Sequence, residues 1–304
     1  MKDMDTHKLL ENPRICRAIT SMESVEFEQL VFSFEEEWQK LNARKTFEGQ
    51  SRQRKVGGGN RGHLACVRSK MLFILMYFKL YPIQEAMAWI WGMSQTQVCS
   101  WIHRLTPVLQ KVLGKELKLP ERQPSKLHEV LKQCSELKFI IDGAERRVRR
   151  PQDKERQKAH YSGKKKAHTR KNVLITSRRR VVYMTQTQPG RCHDRKVAAE
   201  IEKRCFPQGS VLLQDLGFLG FKPKGAQVLM PEKKPKGGVL NQASQIYNQI
   251  VSSLRVGVEH VISGVKRCHI VSDIFRNTKE GFSDTVMEIA CGLHNFRVDA
   301  RSHA

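Results

Sequence analysis

The stretch Leu137-Lys138-Phe139-Ile140-Ile141-Asp142-Gly143 decides the fold. Its apolar run, β-branched at Ile140 and Ile141, reads as a buried strand closed by an Asp-Gly pair. A second stretch, Val211-Leu212-Leu213-Gln214-Asp215-Leu216-Gly217, repeats the pattern of apolar run, Asp and Gly. Strands without polar alternation are buried on both faces, so helices must cover the sheet. Helical patterns are present for that purpose. His193–Cys205 is one, and residues 241–267 form a long one with Ile246, Ile250, Leu254, Val258, Val261 and Val265 on its core stripe. Glu280–Arg297 is the last helix. Asn172–Thr176 and Val181–Thr187 read as a hairpin joined through Arg178-Arg179-Arg180, and Gln227–Met230 as a short strand. The C-terminal half is therefore an α/β sheet covered by helices.

Upstream of Leu137 the periodic segments are helical. Phe27, Leu30, Val31, Phe34, Trp38 and Leu41 recur at three- and four-residue steps over 25–42. A loop with Gly57, Gly58, Gly59 and Gly62 carries Arg52, Arg54, Lys55 and Arg61. Residues 63–80 are a largely buried helix, and Pro82 marks a break. Gln84–Trp91 and Gln95–Leu105 are two helices around the turn Gly92-Met93-Ser94, and Ser94 with Gln97 forms a capping box. Ala88, Gly92, Val98 and Trp101 supply the close contact, turn and anchors of a helix-turn-helix. Gln95, Thr96, Gln97, Ser100, His103 and Arg104 then face outward, a set suited to base edges and phosphates. An ordinary helical hairpin is the alternative. Trp89, Trp91 and Trp101 read as helical core rather than a stacking platform. The domain boundaries expected are 1–60 for a helical and basic arm, 61–115 for the helix-turn-helix, 116–136 for a linker and 137–304 for the α/β domain.

The chain has 304 residues, with 54 Lys+Arg against 30 Asp+Glu and a net charge of +24. A hydrophobic share of 39% excludes a wholly disordered chain. No apolar run reaches the ~18 residues of a membrane span; Met71–Tyr81 is interrupted by Lys79. The first residues lack an apolar signal core, so export is not expected. Eight Cys without a C-x-x-C pair argue against a disulfide scaffold or zinc ribbon and for a reducing, cytoplasmic compartment. The charge calls for a polyanionic partner, nucleic acid before an anionic membrane surface. No basic amphipathic helix with an aromatic face supports the membrane reading. Half of the net charge falls in residues 143–180, where fifteen Lys and Arg face only Glu145, Asp153 and Glu155. Lying between strand-like segments, this run is expected to loop over one face of the domain as a phosphate-binding surface.

In an open α/β sheet, chemistry sits at the carboxyl ends of strands. Asp142 and Asp215, 73 residues apart, are therefore expected to be neighbours. Glu259, between Val258 and Val261 on the long helix, is the best placed third acid. Converging carboxylates repel one another unless a divalent cation binds, and hard oxygen donors suit Mg²⁺ or Mn²⁺. Two such ions about 3.5–4 Å apart can activate a nucleophile and stabilise the leaving oxygen of a phosphodiester. Each acid also has a plainer role: Asp142 and Asp215 as turn residues, Glu259 as the ion-pair partner of Arg255 or Lys266. Asp194 reads as the partner of a helix N-terminus rather than a fourth ligand. His260 and His269 lack the spacing of zinc ligands.

Five motifs carry a family resemblance: Asp142-Gly143-Ala144-Glu145, Tyr161–Thr169 (YSGKKKAHT), Pro189–Asp194 (PGRCHD), Asp215–Gly220 (DLGFLG) and Val258-Glu259-His260. In order, type and spacing they resemble the DDE transposases of bacterial insertion sequences, the insertion-sequence 5 family related to Harbinger-type elements. The resemblance covers about residues 60–298. The family commonly has Thr or Ser at the place of Ala144 and Gly-Ser at Gly190-Arg191, and neither departure removes a carboxylate. The resemblance implies a ribonuclease-H-like catalytic core behind an N-terminal all-α helix-turn-helix region. It implies Asp142, Asp215 and Glu259 as catalytic, metal-binding residues for two Mg²⁺ or Mn²⁺ ions. It implies cleavage at the terminal inverted repeats of an element and transfer of the 3′-hydroxyl into target DNA. The partners implied are double-stranded DNA and at least one further copy of the chain, acting in a bacterial cytoplasm at the nucleoid. Arg146, Arg147, Arg149, Arg150, Lys164, Lys165 and Lys166 are expected to hold the DNA backbone. A domesticated or inactive relative that only binds DNA is the alternative.

Overall fold

A computed structural model describes residues 10–44, 46, 50, 51, 53 and 63–302. The glycine loop at 57–62, with Arg52, Arg54, Lys55 and Arg61, lies outside the described residues. The chain divides into two compact units. The first comprises the residues up to Lys118 together with Arg267–Ser272 and the residues from Asp299. The second comprises Leu119–Lys266 and Asp273–Val298.

The first unit is helical. A helix that the periodicity did not reveal, α1 (Pro13–Thr20), starts because Asn12 Oδ1 accepts from the amides of Arg14 and Ile15, with Pro13 at the first position. There follow α2 (Ser24–Arg44), α3 (Val67–Leu80), α4 (Gln84–Trp91) and α5 (Gln95–Lys115). Phe27, Leu30, Phe34 and Trp38 are buried in this unit, as the 25–42 pattern predicts. The Lys70 ammonium sits 5.2 Å from the centre of the Trp38 ring and 5.7 Å from that of Trp101, and it donates to the carbonyls of Leu64 and Ala65. Burial pushes its pKa down to about 8. Gly92, in the left-handed conformation at φ 64°, ends α4, and Ser94 and Gln97 form the expected capping box. Helix α5 runs past Leu105 and through Pro107 to Lys115, because Val108, Leu109, Val112 and Leu113 continue its buried stripe. Trp91 is buried, but Trp89 is 74% exposed and does not belong to the core.

The second unit is built on one mixed sheet. Its elements are α6 (Leu127–Lys132), β1 (Lys138–Arg147), α7 (Lys154–His160), β2 (Tyr161–Ser162), β3 (Ala167–Ser177), β4 (Arg180–Met184), β5 (Gln188–Pro189), α8 (Asp194–Val197), α9 (Ala199–Glu202), β6 (Ser210–Leu213), β7 (Ala226–Leu229), α10 (Gln242–Val265), α11 (His269–Ser272) and α12 (Phe282–Ser302). Of these, α11 and the last turn of α12 fall in the first unit. Across the sheet β4, β3 and β1 are antiparallel neighbours, and β6 and β7 continue from β1 in parallel. Phe139, Ile141, Val173, Ile175, Leu212, Phe218 and Phe221 form its core on one side, with Ile201 and Phe206 packed on them. Helix α10 lies against β1 where Gly257 meets Ile140.

Three sequence expectations change here. The basic run 143–180 is not a loop. Strand β1 continues to Arg147 in pairing with β3, and Lys164, Lys165 and Lys166 stand at the exposed tip of the β2–β3 hairpin. The buried stripe of α10 is Val251, Val258, Val261 and Val265. Ile246, Ile250 and Leu254 are more than half exposed, since the contact of α10 with β1 lies further along, at Gly257. The segment predicted as a connector contributes to the second unit, where the Glu121 amide donates to Val182 O and its carbonyl accepts from the Met184 amide.

Candidate active site and DNA-binding surface

The parallel pairing of β1 with β6 matches Lys138 with Val211, Phe139 with Leu212 and Ile140 with Leu213. Two residues beyond the last pair stand Asp142 and Asp215. The two aspartates are thus level across adjacent strands, at the point where β6 ends and β1 goes on. Asp142 is not the last residue of its strand; it pairs with Leu174 of β3. Asp215 stands two residues past the end of β6, and its Oδ1 accepts from the Gly217 amide at 2.9 Å, starting a 3-10 turn. Asp142 Oδ1 accepts from the Gly143 amide at 2.8 Å. Burial raises the Asp142 carboxyl above the ordinary Asp range. The Gly143 amide and Arg255 oppose that rise, and the charges of Asp215 and Asp194 add to it.

Asp194 is the residue that sequence reasoning undervalued. It opens α8, as expected of a helix N-terminus, but its carboxylate also lies against both Gly143 of β1 and Gly217 of the turn after Asp215. A β-carbon on Gly143 would lie 3.1 Å from the Asp194 carboxylate, and one on Gly217 would lie 3.3 Å from Asp194 Oδ2. The glycine behind each aspartate is explained by this close approach. Lys171 Nζ donates to Asp194 Oδ1 at 3.1 Å, and both side chains are largely buried. Arg255 of α10 places Nη2 3.9 Å from Asp142 Oδ1. The signal available in the sequence was weak: Asp194 follows a His at a helix start, and Arg255 precedes Glu259 by one turn. Beside the Asp215 turn, a cavity of about 510 Å³ is lined by His193, Arg195, Lys196, Leu216 and Gly217.

Glu259 is not brought to this pair. It is exposed on α10, one residue off the buried stripe formed by Val258 and Val261. Among the described residues, no three Asp, Glu, His or Cys side chains converge closely enough to hold one metal ion. The charges of Asp215 and Asp194 act on the Asp142 carboxyl, with Arg255 beside Asp142 and Lys171 on Asp194 as counter-charges. His260 and His269 are exposed.

The cationic residues divide into two groups. Arg147, Arg149, Arg150 and Lys164–Lys166 are exposed or nearly so. Arg146 is interior, against expectation, because alternation along β1 turns it inward. Its guanidinium donates to Ser283 O at 3.0 Å, Asn172 Oδ1 at 2.6 Å and Thr187 Oγ1 at 3.2 Å, and burial pushes its pKa down to about 10. In the first unit Gln95, Thr96 and Gln97 are exposed at the start of α5, while Ser100 and His103 are half-buried. Arg104 is engaged elsewhere: it donates to Asn42 Oδ1 and to the Thr46 carbonyl, and its guanidinium lies 5.1 Å from the Trp38 ring centre.

Comparison with known proteins adds to this geometry. Residues 141–295 match the model of a DDE superfamily endonuclease, and residues 62–115 match the helix-turn-helix of DDE superfamily endonucleases. The chain is 27% identical over 235 residues to a probable transposase for insertion sequence element IS702 from Microchaete diplosiphon, covering 76% of this chain and 81% of that protein. No solved structure matches. The endonuclease match takes in both level aspartates and spans half of the chain, and the chain belongs to the DDE superfamily of endonucleases, with that superfamily's helix-turn-helix ahead of the catalytic region.

Proposed function

We propose that the protein is an insertion-sequence transposase. It cuts DNA at the terminal inverted repeats of its element and joins the freed 3′-hydroxyl to target DNA. The observation that carries this reading is the level placement of Asp142 and Asp215 across β1 and β6, inside the endonuclease match. The similarity to a probable insertion-sequence transposase over most of both chains supports it. The strand order β4-β3-β1-β6-β7, antiparallel then parallel, supports a ribonuclease-H-like core.

The carboxylates fit a hard divalent cation in part. Asp142 and Asp215 supply facing oxygen donors whose mutual repulsion a cation relieves, whereas Glu259 is not within the group. Asp142 and Asp215 would hold Mg²⁺ or Mn²⁺. Such an ion, when bound, supplies Lewis acidity toward the scissile phosphate. The rest is positioning by the chain itself. Arg147, Arg149, Arg150 and Lys164–Lys166 hold phosphates, Gln95–Gln97 meet base edges, and Lys171 fixes Asp194 against Gly143 and Gly217. Cleavage replaces the phosphorus bond to the 3′-oxygen with one to a water oxygen; joining replaces a target phosphodiester bond with one to the freed 3′-oxygen. Joining two ends at one target calls for at least two copies of the chain on the DNA, in the cytoplasm where that DNA lies. Among the described residues no helix is long and apolar enough to cross a membrane.

The test uses the full chain and a duplex carrying the inverted repeats that flank its gene. With Mg²⁺, cuts that leave a 3′-hydroxyl at the repeat end and joined products with a second duplex are expected. Salt-sensitive binding without any divalent-dependent cut would leave only a DNA-binding protein.

A further inference from the structure

The second unit holds a cavity of about 650 Å³ that neither Asp142 nor Asp215 lines. Its lining includes Arg150, Lys158, Tyr161, His168 and Arg191, and no carboxylate. The chain builds it from four segments. Arg150 follows β1 and is braced by Gln157 Oε1, which accepts from Nε at 3.1 Å and from Nη2 at 2.9 Å. Lys158 lies on α7, paired with Glu155 where both side chains are exposed. Arg191 follows β5, and its amide donates to the Ala159 carbonyl at 3.1 Å, pinning that loop onto α7. Tyr161 and His168 are directly opposite on β2 and β3, their rings edge to face at 5.6 Å.

Tyr161 is 46% exposed although it stands among cations. Three cations beside an open aromatic ring suit an anion that carries a flat apolar face. A nucleotide has both. The volume is within the roughly 300–1,000 Å³ range of small-ligand pockets. Base pairs inside a duplex show proteins only their edges and phosphates, and an aromatic ring in a pocket gains only from a base out of the stack. We propose that this cavity binds one unstacked nucleotide of the DNA substrate. The base lies on the Tyr161 ring, and Arg150, Lys158 and Arg191 hold its phosphates. This rests on the reading of the protein as an enzyme that cuts DNA.

The sheet also sets the distance. Tyr161 pairs with His168 and Asp142 with Leu174, both on β3. Six residues of strand span about 20 Å at ~3.3 Å each. At ~3.4 Å per base pair, that is about six base pairs from the cleavage centre, and fewer nucleotides where the strand is unstacked.

The test is a mismatch scan. End duplexes with a single mismatch at each of the first several positions from the cut are bound to the full chain by fluorescence anisotropy, without divalent cation. A mismatch removes the need to break a pair, so one position should bind about ten-fold tighter than the matched duplex. Tyr161→Ala should abolish that preference, and Tyr161→Phe should keep it. Arg191→Ala should weaken binding of the preferred duplex more than that of the matched one. No preferred position, or a preference that survives in Tyr161→Ala, overturns the proposal. Cleavage run in parallel separates the two readings. A preference without cutting removes the transposase and keeps the pocket; cutting without a preference does the reverse.

Discussion

Arg146 and Arg147 are adjacent, both cationic, and opposite in role. Arg146 is locked inside by Ser283, Asn172 and Thr187, whereas Arg147 is on the surface. Arg146→Ala should therefore lower stability by about 2–4 kcal/mol in urea unfolding, since it orphans buried acceptors of a charged donor. Arg147→Ala should leave the unfolding midpoint in place and weaken DNA binding. Glycine roles are equally local. A β-carbon on Gly190 would overlap Thr169 Oγ1 and lie 2.9 Å from the carbonyl oxygens of both His160 and Thr169. Gly190→Ala should destabilise by about 2 kcal/mol or more, because two of those neighbours are backbone; an unchanged melting temperature would contradict this packing. By contrast Gly163, with open space where a side chain would go, should accept alanine in the same assay.

Elements carry the next set of constraints. Asp284 in the first turn of α12 ties that helix to the β5 edge and to Arg122. Burial pushes its carboxyl upward, but hydrogen bonds from Thr187 and Arg122 outweigh that and hold it below the ordinary Asp range. A depressed folded pKa contributes stability above the unfolded value of about 3.9 and loses it as pH falls through the folded value. Asp284→Asn should destabilise the protein at pH 7, and the gap from the parent should close below about pH 4. A gap that stays constant down to pH 2 would contradict this role. The helix-turn-helix and the two aspartate strands were legible because their signals are local: a capping box, a turn glycine, and apolar runs ending in Asp. The rest depends on pairing that no local window contains. Arg146 reads as surface until β3 extends β1 beyond Gly143. Asp194 reads as a helix start until the chain folds it against Gly143 and Gly217. The stripe of α10 reads as continuous, yet Ile246, Ile250 and Leu254 are exposed.

At the scale of the whole molecule the net charge of +24 governs how the chain meets DNA. Each phosphate contact adds about 0.9 to the slope of log affinity against log salt. Replacing Lys164, Lys165 and Lys166 with Ala should reduce that slope by up to about 2.7, without altering preference among sequences. Substituting Gln95 and Gln97 should do the opposite, relaxing sequence preference with little change in slope. Both rest on two jobs in one chain, recognition by the helical unit and chemistry in the sheet unit. The chemistry is claimed for one pair of carboxylates, so the decisive measurement is strand cleavage by Asp142→Asn at saturating end duplex in Mg²⁺, with binding recorded on the same sample. The account predicts an affinity within about two-fold of the parent and cleavage reduced by at least about a thousand-fold, as expected when a group acting mainly in the transition state is removed. Cleavage at the parental rate, with the variant folded and bound, would contradict it.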